Sequence, residues 1–148
     1  QMLGNLKKDI RTKVLAYATR RAARPVIDMM RSLALQQTGL LRKSLGVRVK
    51  TYGRSGVTVA VIGPRSGFKQ ETPHGPRNPV KYAHLVEGGT RPHLMKTLKL
   101  PIGRVVRLSW WHPGSSARPF VGPASASYPR AAQAFEQAVL DGFRKYTR

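Results

Sequence analysis

Four histidines, six carboxylates and a few loop serines are the side chains of this sequence with an obvious capacity for chemistry. His74, His84, His93 and His112 stand beside prolines and glycines, at spacings that match no zinc-ligand pattern. No cysteine is present to supply a thiolate. The histidines therefore read as turn-stabilising residues. Asp9, Asp28, Glu136 and Asp141 fall on expected helix surfaces and Glu71 in an expected loop. No two carboxylates are placed for acid–base work, or for holding the ions of a metal-dependent nuclease. Ser66, Ser115 and Ser116 lie near glycines, but none sits in a GxSxG elbow. Neither a GxGxxG nor a phosphate-cradling P-loop pattern occurs. The chain is expected to be no enzyme and to need no cofactor or metal.

Glu87 is the one acid singled out. It lies in a basic stretch, beside Arg91 and within reach of Arg118. It reads as a brace, a salt bridge holding a short helix against the turn around Arg118-Pro119-Phe120, in preference to a contact with a neighbouring subunit.

Charge is the strongest bulk signal. There are 27 Lys and Arg against 6 Asp and Glu, a formal net charge of +21. Six acids cannot neutralise 27 bases within one fold, so a polyanion or an acidic protein surface is the expected partner. The bases are spread along the chain rather than gathered in a tail. A length of 148 residues suits one domain, 1–148. No apolar run approaches a membrane span, and the N-terminus lacks the apolar core of a signal peptide. The expectation is a soluble protein made in the cytoplasm, with no membrane partner.

The elements that must hold these residues follow from periodicity. Leu3, Leu6, Ile10, Val14 and Tyr17 recur at helical spacing, and Ala22, Val26, Met29, Met30 and Leu33 continue on a shifted face. This predicts a helix over about 3–35, kinked or broken near Pro25. Thr38 is expected to cap a short turn over Leu40–Leu45. Val47 and Val49 alternate with Arg48 and Lys50, and Val57–Ile62 follows after a Gly53–Gly56 turn, which predicts a β-hairpin. Residues 63–81, with four prolines and three glycines, are an extended loop, mobile in a lone monomer. Tyr82–Glu87 is a helical turn ended by Gly88 or Gly89. Thr97–Leu100 and Arg104–Trp110 are strands around Pro101–Gly103. Trp110-Trp111 should place one ring in the core and the other at an interface. Ser125 or Ser127 is expected to cap a last helix, whose inner face is Tyr128, Ala132, Phe135, Val139, Phe143 and Tyr146. Two helices on one face of a small antiparallel sheet give an α+β fold.

Three segments together carry a resemblance: TGLLRKSL (38–45), YAHLVEGGTRPH (82–93) and HPGSSARPFVGPA (112–124), in that order between two helices. In this the chain resembles the HK-ninety-seven gene-ten-like tail-component family, the neck or tail-completion proteins of long-tailed phages. The resemblance implies a non-enzymatic virion protein, made in the host cytoplasm. It would assemble as a homo-oligomeric ring, a hexamer or dodecamer, at the head–tail joint. Its implied partners are the head-closure or adaptor ring and the tail tube or tail terminator, with non-specific contact to packaged DNA as a further one. The residues expected at subunit or partner contacts are Phe68, Arg77, Tyr82, Glu87, Arg91, His93, Trp111, His112, Arg118 and Phe120. The alternative from composition is a sequence-independent basic nucleic-acid-binding protein. Against it, cations and aromatics are not interleaved along any one expected strand pair.

Overall fold

The computed structural model describes residues 8–34, 39–53, 55–72, 75–96, 98–99, 105–106 and 109–146. The expected Leu3 and Leu6 turn, the Thr38 cap and the Pro101–Gly103 turn lie outside them.

Helix α1 spans Lys8–Leu33, with Asp9 in its first turn and Arg31 in its last, each charge opposing the nearby end of the helix dipole. It runs unbroken as α-helix through Pro25. An interior proline costs about 3 kcal/mol. Ala23, Ile27 and Met30, all buried, hold the second half in place and offset that cost. The shift of face read from the sequence is present: the buried positions step from Val14 and Ala18 to Ala23, Ile27 and Met30.

Helix α2 spans Leu40–Ser44 and is entered through Gly39 at φ 65°, without a side-chain cap. Its last carbonyls are capped from a distance. Arg65 donates from Nε to Ser44 O at 3.3 Å and from Nη2 to Lys43 O at 3.0 Å. Strands β1 (Leu45–Tyr52) and β2 (Val57–Pro64) form the predicted hairpin, paired antiparallel from Leu45↔Pro64 to Tyr52↔Val57. Its inner face packs on α1. The core joins Ile27, Met30 and Ala34 to Leu41, Leu45, Ala83, Phe120 and Ala124.

Residues 63–81 are less free than their composition suggests. Gln70 and Arg77 exchange two backbone hydrogen bonds, at 3.2 and 2.9 Å. Asn78 donates to Ser66 O at 3.3 Å, and its Oδ1 accepts Val80 N–H at 3.0 Å, capping a 3-10 turn over Pro79–Lys81. The described part of this loop is a folded strap, closed by the Gln70–Arg77 backbone bridge and by the Asn78 side chain.

Helix α4 spans Tyr128–Tyr146 and packs against α1. Its inner face differs from the expected one. Ala138 and Gly142 are buried, while Tyr128 is 61% exposed and Ala132 is exposed. A Cβ built on Gly142 would lie 3.1 Å from Val14 Cγ1, so the helices approach along small residues. Phe135, Val139 and Phe143 are half-buried. The serine caps are also corrected. Ser127 ends a 3-10 turn over Pro123–Ser127, is buried, and donates its hydroxyl to Ala124 O at 2.6 Å.

Candidate assembly site

Helix α3 (Ala83–Gly88) is only six residues long, yet it anchors the second half of the chain. Its Glu87 carboxylate accepts three backbone N–H groups: Phe120 at 2.8 Å, Val121 at 3.0 Å and Gly122 at 3.0 Å. Arg118 N–H donates to Val86 O at 2.8 Å beside it. Glu87 is thus a brace, as expected, but its partners are backbone amides. Among the described residues the ion pair is Asp28–Arg31, and neither Arg91 nor Arg118 pairs with Glu87. Partial burial works to raise the Glu87 pKa. The three N–H bonds outweigh it, and the carboxyl sits below its ordinary range.

Two glycines allow the root of an arm to close next to this clasp. Gly89 takes φ 70° and ψ −175°, a region that is essentially glycine's alone. Gly114 takes φ 84°. Between them Thr90 and Ser115 exchange backbone hydrogen bonds at 2.9 and 3.1 Å, and their hydroxyls meet at 3.1 Å.

Beyond the root runs a two-stranded ribbon. Strand β3 (His93–Met95) pairs antiparallel with β6 (Trp110–His112), and β4 (Leu98–Lys99) pairs with β5 (Val105–Val106). The pairs are nested, and the register slips by one residue between Met95↔Trp110 and Leu98↔Val106. The same two segments of chain therefore run side by side twice, as one arm. His93 and His112, opposite each other, stack with ring centroids 5.0 Å apart. His112 Nδ1 accepts Gly114 N–H at 3.0 Å, which turns the strand end into the root. Neither tryptophan enters the core: Trp110 is half-buried and Trp111 is 65% exposed. Among the described residues no helix packs broadly against the ribbon, so alternation alone does not carry a tryptophan into the core.

The expected contact residues divide by environment. Phe120 is 1% exposed and belongs to the core, so its side chain serves the fold. Phe68 is half-buried, with the Arg65 guanidinium 5.4 Å from its ring. Tyr82 is half-buried against the core, and burial lifts its phenol pKa above the ordinary value against the pull of Arg77. Arg77, Arg91, His93, Trp111 and Arg118 are exposed. The structure brings Arg91, His93, Trp111 and His112 together on the arm, and leaves Phe68 and Arg77 on the strap.

A further surface escaped the sequence reading. On the outer face of the hairpin, Val57, Val59 and Val61 are 50%, 40% and 61% exposed. Arg48 and Lys50 stand opposite Val61 and Val59, and Tyr52 stands opposite Val57. The weak alternation of Val57–Ile62 gives no sign of this exposed row, since a strand buried on both faces has the same pattern. Among the described strands β2 pairs only with β1, so its other edge is open.

No group of three or more His, Asp or Glu among the described residues could hold a metal ion, and no described helix is long and apolar enough to cross a membrane. Residues 1–89 match the family model described as "Bacteriophage HK97-gp10, putative tail-component". No curated protein and no solved structure matches the chain.

Proposed function

Because the chain belongs to the bacteriophage HK97-gp10 tail-component family, we propose that it is a non-enzymatic structural protein of the head–tail joint. It acts by assembling as a ring between the head-closure or adaptor ring and the tail tube or terminator. The observation that supports ring assembly is the outer hairpin face. Val57–Ile62 is an uncharged, proline-free stretch with three exposed valines, and its second edge is paired with no described strand. Soluble proteins normally protect such an edge with charge, proline or a covering element. Here a neighbouring subunit is the cover. A surface that meets a different surface on the next copy closes into a ring when the rotation permits.

The candidate contacts follow from what is exposed: the valine row and Tyr52, the strap around Phe68 and Arg77, and the clasp and arm root from Glu87 to His93 and His112 to Arg118. Catalysis is left out of this reading, since Glu87, the one carboxylate of the clasp and arm root, holds three backbone N–H groups. Placement in the virion rests on the family alone.

Val59→Lys places a charge in the middle of the row without touching the core. Sedimentation velocity should show rings for the unaltered protein and a smaller species for Val59→Lys, with thermal unfolding of the subunit little changed. Rings that survive this substitution would remove the hairpin face from the interface. A protein that is monomeric at every concentration would argue against ring assembly itself.

A further inference from the structure

From Gly88 to Phe135 the sequence contains no carboxylate, and it carries Arg91, Lys96, Lys99, Arg104, Arg107, Arg118 and Arg130. Five of these seven cations lie between Thr90 and Ser115 in the sequence, and of these Arg91 and Lys96 are exposed on the described part of the arm. Sequence spacing alone does not interleave cations with aromatics, but the strand register gathers aromatic and apolar residues into one paired run with cations at its ends. Leu94 faces Trp111, Met95 faces Trp110 and His93 faces His112, with Arg91 and Lys96 flanking the paired run. Arg91, His93, Leu94, Lys96 and Trp111 are all exposed.

We propose that this arm is a β-ribbon that binds duplex DNA without sequence preference. The major groove, about 12 Å wide, admits a two-stranded ribbon. The flanking cations reach phosphates on either side, and such contacts supply affinity and orientation rather than sequence readout. The Leu94–Trp111 pair offers an apolar contact at the middle of the ribbon. An acidic protein surface fits less well. Protein interfaces rely on a central, fully desolvated cluster, whereas the ribbon offers one exposed apolar pair ringed by positive charge. The root is held by the Glu87 clasp and by the close approach at Gly89 and Gly114, so the ribbon is presented at a set angle and ordering it on DNA costs little entropy.

The inference goes beyond ring assembly and does not depend on it, since each has its own readout. The full chain is titrated with a short mixed-sequence duplex over a range of salt concentrations. A total charge of +21 gives any surface some attraction for DNA, so the comparison uses two variants of equal charge. One carries Arg91→Gln, Lys96→Gln and Arg118→Gln on the arm and its root. The other carries Arg20→Gln, Arg21→Gln and Arg24→Gln on the exposed side of α1. The slope of log affinity against log salt should fall by about 2.7 for the arm variant, with binding roughly tenfold to a hundredfold weaker, at about 0.9 per lost phosphate contact. The α1 variant should keep nearly the full slope. Circular dichroism melts and sedimentation check that both variants fold and assemble as before. Equal losses in the two variants would overturn the proposal. So would polyglutamate that binds as tightly as the duplex and loses as much with the arm variant, which would assign the arm to an acidic protein instead.

Discussion

Gly114→Ala is expected to melt well below the unaltered protein. Two independent effects act at this position. Its φ of 84° is strained for any side chain, which costs about 1–3 kcal/mol. The added Cβ would also collide with Thr90 O and lie 2.9 Å from Arg91 C, both backbone atoms of the facing segment that leads into β3. Backbone paired in a ladder cannot swing aside as a side-chain end can, so relief means opening the Thr90–Ser115 bridge. Together these amount to about 2–6 kcal/mol, a fall in melting temperature on the order of 5–20 °C for a domain of this size. Gly89→Ala should behave alike, since its Cβ would lie 2.6 Å from Ser115 O. Gly88→Ala is the control. Gly88 ends α3, has no positive φ, and has nothing within 4 Å of where its Cβ would stand. Alanine there should be neutral, or stabilising by about 0.4–1 kcal/mol. Equal melting of Gly114→Ala and Gly88→Ala would mean that the arm root does not close as described.

Glu87→Ala should give the second large loss. It strands three N–H groups that now share one carboxylate, and Phe120, the largest fully buried side chain, follows directly from the first of them. Hydrogen bonds to a charged group contribute about 1.5–3 kcal/mol each when buried, and solvent access at Val121 and Gly122 reduces the total to about 2–4 kcal/mol. Glu87→Gln should recover part of this, because one amide oxygen still accepts. The charge gives the clasp a pH dependence. The folded Glu87 carboxyl is more acidic than the unfolded one. Its contribution is therefore whole above the ordinary carboxyl range and is lost as pH falls through the lower, folded value. Denaturant midpoints measured from neutral to acidic pH should converge for the unaltered protein and Glu87→Gln at the acid end. A gap that stays constant with pH would contradict a charged clasp.

These two sites also show where sequence reading reaches and where it stops. Helix α1 and the β1–β2 hairpin were legible because repeated apolar spacing reports burial, and the face shift near Pro25 was real although the break was not. Glu87 was legible as a brace, since a lone acid in a basic stretch must be held by something. Its partners were not, because every residue from 117 to 122 except Pro119 offers the same N–H and only tertiary geometry selects three of them. The inner face of α4 was misplaced for a related reason. Large apolar residues mark hydrophobicity, but the line of closest approach to α1 runs through Ala138 and Gly142, where small size matters most. The exposed valine row was missed because an apolar strand that awaits a partner has the same composition as one already buried. The register of the arm depends on pairings that reach from Lys99↔Val105 back to His93↔His112, with a one-residue slip between them that no local pattern encodes.

We propose that this chain is a ring component of the phage head–tail joint. Cryo-electron microscopy of intact particles carrying a small tag on the chain tests it most directly. The predicted result is tag density repeated around the tail axis in a single ring, between the head-closure layer and the first ring of the tail tube. Particles whose joint is complete but carries no tag, with the chain absent from purified virions, would contradict it.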